Sequence, residues 1–151
     1  MSDTTNQPDA FDTEQSGFEP QNPELAEIAE LSKKGYQYLK ENRIGDAERN
    51  FKTILERDPE NNYALVGLGD AARKRASYRD AVDYYKKCLI YHPGNNYALF
   101  GLADCYKALN QYQKAIEIWE QYLLHDNKNS TVLTRIADAY RKVRDFRKSK
   151  A

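Results

Sequence analysis

Asn61–Asp70 reads NNYALVGLGD, and Asn95–Asp104 reads NNYALFGLAD. Eight of the ten residues are identical, and the offset is 34. A period of that size marks a repeat architecture, in which each unit cannot bury its own apolar stripe and stacks on its neighbours instead. Units counted from Ile28 start at Ile28, Asn62, Asn96 and Ser130, and the same kinds of residue then recur in register. Position eight holds Gly35, Gly69, Ala103 and Ala137; position twenty holds Ala47, Ala81, Ala115 and Ser149. Large rings fall at position 24 (Phe51, Tyr85, Trp119) and at position 17 (Tyr78, Tyr112, Phe146, with Ile44 in the first unit). Pro59 and Pro93 stand at position 32, where they stop a helix, and Asn127 takes that place in the third unit.

The apolar spacing is helical and strand alternation is absent. Each unit therefore reads as two short helices joined by a tight turn near positions 15–18. Small residues at positions eight and twenty let the two helices approach, and the ring at position 24 fills the space beside them. Order is expected from Asn22-Pro23, an N-cap followed by proline at the first helical position. The fold class that follows is all-α, with an acidic disordered tail over residues 1–22 and repeat units over 28–61, 62–95, 96–129 and an incomplete 130–151.

These residues resemble the tetratricopeptide repeat family. Its pattern of Leu, Gly, Tyr, Ala, aromatic and Pro is matched at Leu65, Leu68, Gly69, Ala81, Tyr85 and Pro93. It is matched again at Leu99, Leu102, Ala103, Tyr106, Ala115 and Trp119. The resemblance covers residues 28–151 and implies a right-handed α-solenoid with a concave peptide-binding face. Lys34 departs from the pattern where the family carries an apolar residue, which suits a terminal unit with its outer face in water. The fourth unit stops at Ala151, as its second helix would begin. The expectation is a fragment of a longer array, or an end that a partner or a second copy covers.

Formal net charge is zero, but unevenly spread. Residues 1–27 hold seven acids and no Lys or Arg, leaving 16 acids against 23 bases in the remainder. The tail has too few apolar groups to offset chain entropy. Phe11 and Phe18 are its exceptions, and with the acids they could fold back onto basic positions of the body. No apolar run approaches the ~20 residues of a membrane span. No secretory signal is written at the N-terminus, so no membrane and a cytoplasmic location are expected. Cys88 and Cys105 lack metal-ligand spacing and read as buried small residues. His92 and His125 flank the inter-unit turns. There is no glycine-rich phosphate loop and no nucleophile motif, so no catalytic residue, metal or cofactor is assigned and no enzyme is expected.

The first helix of each unit carries two stripes. Positions four, seven, eight and eleven share one sector at about 100° per residue and read as core: Leu65, Leu68, Gly69, Ala72 and Leu99, Leu102, Ala103, Tyr106. Positions two, five, nine and twelve lie about 130° away. They are Tyr63, Val66, Asp70 and Arg73; then Tyr97, Phe100, Asp104 and Lys107; then Thr131, Thr134, Asp138 and Arg141. In the first unit they are Ala29, Ser32, Tyr36 and Leu39. In the family this stripe lines the groove. Each Asp stands three residues before its base, so the two can pair on one helix at about 0.2–0.5 kcal/mol, a weak reason for the pattern by itself. The resemblance therefore implies a protein-interaction scaffold that takes a partner's peptide, with acidic or aromatic residues, on this face. Some family members clamp a heat-shock chaperone's C-terminal carboxylate with Lys and Asn. The matching positions here are Ser32 and Tyr36, so that ligand is not expected. An architectural or self-association role through the incomplete unit is the alternative. RNA binding by the basic stretch Arg135–Lys150 is a lesser one, because the aspartate row would repel phosphate.

Overall fold

The computed structural model describes residues 22–124 and 126–150. Expectations for the tail, with Phe11 and Phe18, and for His125 lie outside the described residues, as do the side chains of Phe146 and Ser149. Seven helices follow one another among the described residues: α1 (Pro23–Lys40), α2 (Ile44–Arg57), α3 (Asn62–Lys74), α4 (Tyr78–Tyr91), α5 (Asn96–Ala108), α6 (Tyr112–Leu123) and α7 (Ser130–Lys150).

The doubled Asn of the repeat explains how its odd-numbered helices begin. Asn61, Asn95 and Asn129 each accept a hydrogen bond from a backbone N–H three residues on, from Ala64 at 2.9 Å, Ala98 at 3.0 Å and Val132 at 3.1 Å. Asn22 accepts from the Glu24 N–H, two residues on, at the start of α1. Each side chain thereby satisfies one of the orphan donors of a helix start. The turn inside each unit is equally regular. Asn42, Ala76 and Asn110, all at position 15, are left-handed with φ of 61°, 60° and 60°. The following N–H reaches back five residues, as from Ser77 to the Ala72 carbonyl at 2.9 Å. This is the Schellman closure, which satisfies carbonyls that the helix end leaves open.

The aromatic at position 24 is the keystone of each unit. Phe51, Tyr85 and Trp119 are all fully buried. A Cβ on Gly35 would fall 2.7 Å from the Phe51 ring, and one on Gly67 would fall 2.5 Å from the same ring. Gly69 and Gly101 clasp Tyr85 in the same way. Phe51 and Tyr85 thus each sit between position eight of their own unit and position six of the next. Position six is the Gly of the repeated YALxGL, and its smallness is what lets successive units close.

Odd-numbered helices also touch across units. α1 packs on α3 and α3 on α5, while the even-numbered helices have no such approach to one another. The stack therefore curves with the odd helices inside and the even ones outside. α7 differs in two respects. Position six on it is Arg135 in place of Gly, and α7 makes no approach to α5 as close as that of α3. Its helix also runs unbroken through position 15, here Arg144, where a tight turn was expected. Arg144 and its neighbours favour the right-handed helix, and among the described residues no second helix packs back to draw the chain round.

Candidate functional site

The inner stripe is built from side chains of α3, α5 and α7. Tyr63 is 37% exposed, whereas Val66 and Phe100 are 1% and 0% exposed. That differs from the sequence expectation for Val66 and Phe100, which form the floor beneath the stripe and offer no ligand-contact surface. Position five of the third unit packs against its own even helix and against the next unit. Phe100 meets Tyr122 of α6 edge-on at 5.9 Å, and the Arg135 guanidinium lies 4.8 Å from its ring centre. Tyr97 is half-buried, while Lys107, Thr134 and Arg141 are exposed and Asp138 is partly so. In the first unit Ser32 and Leu39 are buried and Tyr36 is half-buried.

The charges do more than pair within one helix. Asp70 and Arg73 stand 3.5 Å apart, and Asp138 and Arg141 stand 2.5 Å apart, both at the expected spacing of three. Arg73 also reaches across to Asp104 on α5 at 3.3 Å, and Asp104 is met from the other side by Arg135 of α7 at 2.7 Å. The result is a chain of alternating charge, Asp70–Arg73–Asp104–Arg135, that runs across three units. Its members are largely shielded from water, with side-chain exposures of 16%, 20%, 13% and 7%. Arg135 was read from the sequence only as part of a basic run, so its structural role was missed. The visible signal was the break in register at position six, from Gly67 and Gly101 to Arg135.

Burial sets the electrostatics of this row. It pushes the Asp70 carboxyl above its usual range, and Arg73 and the Tyr85 hydroxyl oppose that shift without cancelling it. The Tyr85 hydroxyl donates to Asp70 at 2.5 Å. Burial, then the Asp70 charge, hold that hydroxyl well above the usual phenol value. Burial works against the Arg73 charge, but Tyr85, Asp70 and Asp104 together keep its pKa above the ordinary guanidinium value. Tyr85 was read as a core filler; it also fixes an inner-face carboxylate.

At the first unit the row closes. The Tyr36 hydroxyl donates to the Tyr63 carbonyl at 2.6 Å, and its ring meets Phe51 edge-on at 5.0 Å. His92 at the second inter-unit turn bridges to the Glu60 carbonyl of the first at 2.6 Å, the turn role read from its position. Burial pushes the Cys88 thiol up to about 11 and the Cys105 thiol up to about 12, so both are poor nucleophiles at neutral pH. Among the described residues no group of His, Cys, Asp and Glu could hold a metal ion, and no helix is long and apolar enough to cross a membrane.

Two tetratricopeptide repeat sequence models match the chain, over residues 32–88 and 72–137. No curated protein matches it in sequence. Solved tetratricopeptide repeat domains share its fold. The Sgt2 domain from Aspergillus fumigatus is 16% identical with a TM-score of 0.75, over 84% of this chain and 83% of that one. The first repeat domain of Spaghetti (RPAP3), solved with an HSP90 peptide SRMEEVD, is 15% identical with a TM-score of 0.74, over 78% and 93%. The TPR2B domain of yeast Sti1, solved with an Hsp70 peptide, is 20% identical with a TM-score of 0.68, over 79% and 97%. Family models that together span the units from α1 to α7, on a stack of capped helix pairs locked by one ring per unit, make this chain a member of the tetratricopeptide repeat family.

Proposed function

We propose that the chain is a protein-interaction module that holds a segment of a partner protein against its inner face. The observation that carries this reading is the chain Asp70–Arg73–Asp104–Arg135, pinned by ion pairs between units and flanked by Tyr63 and Tyr97. A surface whose charges are already held in place loses little conformational freedom when a ligand docks. Aromatic area beside charge is the composition of binding hot spots. The fold neighbours solved with bound peptides support the same reading. It is a binding role and not a catalytic one: Asp70 is tied to Tyr85 and Arg73, and Asp104 to two arginines, so neither carboxylate is poised to move a ligand's proton. A cytoplasmic location belongs to the same proposal.

The ligand meets the open end of the stripe, over α5 and α7, where Lys107, Thr134 and Arg141 reach solvent. Their cations suit a peptide with acidic side chains. The first unit offers less. Ser32 is buried, with its hydroxyl lacking a hydrogen-bond partner, and the Tyr36 hydroxyl is already donated. A clamp for a chaperone's C-terminal carboxylate is therefore not part of the proposal. Asp104 is a poor probe of binding because it holds two arginines. The test is a displayed peptide library selected against the wild-type chain, with the retained peptides titrated against Lys107→Glu, Arg141→Glu and Tyr63→Ala. Affinity falls in these variants if the reading holds. Peptides that bind all three with wild-type affinity refute it.

A further inference from the structure

The inner stripe has two unlike ends. The odd-numbered helices repeat in one direction, and His92 ties successive inter-unit turns together, so α1, α3 and α5 begin on one edge. Tyr63 and Tyr97 lie on that edge, each the second residue of its helix. The opposite edge is basic. Lys74 closes α3 and is exposed. At about 1.5 Å and 100° per residue, it stands about 16 Å from Tyr63 along the helix axis and about 20° from it around the axis. Lys107, also exposed, stands near the same end of α5. Between the two edges the carboxylates are already engaged. Asp70 is held by Arg73 and Tyr85, and Asp104 by Arg73 and Arg135. The middle of the stripe therefore puts little unbalanced negative charge in the way of an acidic ligand.

We propose that the chain's own segment Asp12–Phe18 occupies this stripe, with Phe18 against Tyr63 and with Glu14 and Asp12 at Lys74 and Lys107. The proposal rests on the inner face being the binding face. Residues 1–21 hold five acids, two phenylalanines and no Lys or Arg, which is the ligand chemistry that the stripe takes. Attachment and length agree with this. The segment joins α1 at Asn22, on the tyrosine edge. Phe18 stands four residues earlier, a reach of up to about 14 Å. Packed helices lie about 8–10 Å apart, so the ring reaches α3. Glu14 and Asp12 precede Phe18 by four and six residues, about 13 Å and about 20 Å of extended chain. Those lengths bracket the distance from Tyr63 to Lys74. The segment then runs antiparallel to α3, the direction required of a chain that turns into α1 at the tyrosine edge. The outer helices suit it less. Ile90 and Leu124 are 75% and 82% exposed, but the first unit carries Glu56 at that register, a like charge that the segment would have to pass. A short tether gives about millimolar effective concentration, so docking with a Kd of about 0.1 mM lowers the affinity of a competing peptide about tenfold.

Paramagnetic relaxation in the 151-residue chain tests the docking. A spin label on Ser16→Cys sits between Glu14 and Phe18, and Cys88 and Cys105 are buried away from the reagent. Broadening of the Tyr63, Lys74, Tyr97 and Lys107 amide signals is expected. Phe18→Ala with Glu14→Gln should abolish it, as should Lys74→Glu with Lys107→Glu. Four results would overturn the proposal: broadening spread evenly over the surface; broadening centred on Ile90 and Leu124; inner-face broadening that survives both pairs of substitutions; or broadening of an unlabelled chain by a labelled one, which makes the occupant a second copy. The peptide library separates this proposal from the binding role itself. Retained peptides should bind the Phe18→Ala, Glu14→Gln chain about tenfold tighter than wild type. Equal affinity for the two chains sinks the tail proposal alone. A library that yields no binder to either chain sinks the binding role, and the broadening pattern still decides whether the tail occupies the stripe.

Discussion

Gly101→Ala sets two effects of known size against each other. In a helix interior, alanine is favoured over glycine by about 1 kcal/mol. Gly101 lies inside α5, so propensity alone makes the variant more stable. The new Cβ, however, would fall within 2.8 Å of two further atoms of the Tyr85 ring, beyond the atom it meets first. The ring cannot retreat: a Cβ-free Gly69 stands on its other face, and its hydroxyl is held by Asp70. Overpacking a filled core costs about 1–3 kcal/mol, and this pinned site belongs at or above the top of that range. The expected net is a loss of about 2 kcal/mol, read as a lower urea midpoint at unchanged m-value. Gly45→Ala is the control. Its Cβ would meet nothing nearer than 3.9 Å, so only propensity acts and stability should rise. Adding Tyr85→Leu to Gly101→Ala should cost less than the two single changes summed, because the shortened side chain relieves the clash. A Gly101→Ala chain as stable as Gly45→Ala would refute the interleaving of units through position six.

Other perturbations separate the members of the charge chain. Asp104→Ala takes from Arg73 and Arg135 the carboxylate they share and should cost about 3 kcal/mol in thermal or urea unfolding, while an unchanged midpoint would show that their other partners suffice. Asp70 has the opposite sign. Its carboxyl pKa is raised in the fold, so its contribution to stability is full below the ordinary carboxylate value of about 4 and is lost as pH rises through the raised value. Asp70→Asn should therefore compare best with wild type at neutral pH and lose ground as pH falls to about 4, measured by urea midpoints across that window. Ala76 pays for a left-handed φ of 60° that its counterparts meet with Asn, so Ala76→Gly should stabilise by about 0.5–1 kcal/mol in a thermal melt.

Much of this was legible along the chain. The 34-residue offset, the small residues at positions eight and twenty, the ring at 24 and the apolar stripe of the first helix are periodic features. Burial of a helix face follows from spacing alone, so the core residues of α3 and α5 could be named before any packing was seen. Asp–Arg spacing of three likewise foretold the pairs Asp70–Arg73 and Asp138–Arg141. Which elements recur, and which face of each turns inward, is a property of local sequence.

What local sequence could not decide was everything set by two units at once. Val66 and Phe100 share a helix stripe with Asp70 and Asp104, yet packing buries them both, Phe100 between Tyr122 of α6 and Arg135 of α7. Arg73 belongs as much to Asp104 as to Asp70, because the packing of α3 on α5 brings Asp104 within 3.3 Å of it, a contact no helical wheel contains. Arg135 looked like one base in a basic run; the packed structure makes it the second hold on Asp104 and sets it over Phe100. A side chain's spacing along one helix is determined by its sequence, but whether it meets water, a ring or an opposite charge depends on the helix stacked beside it.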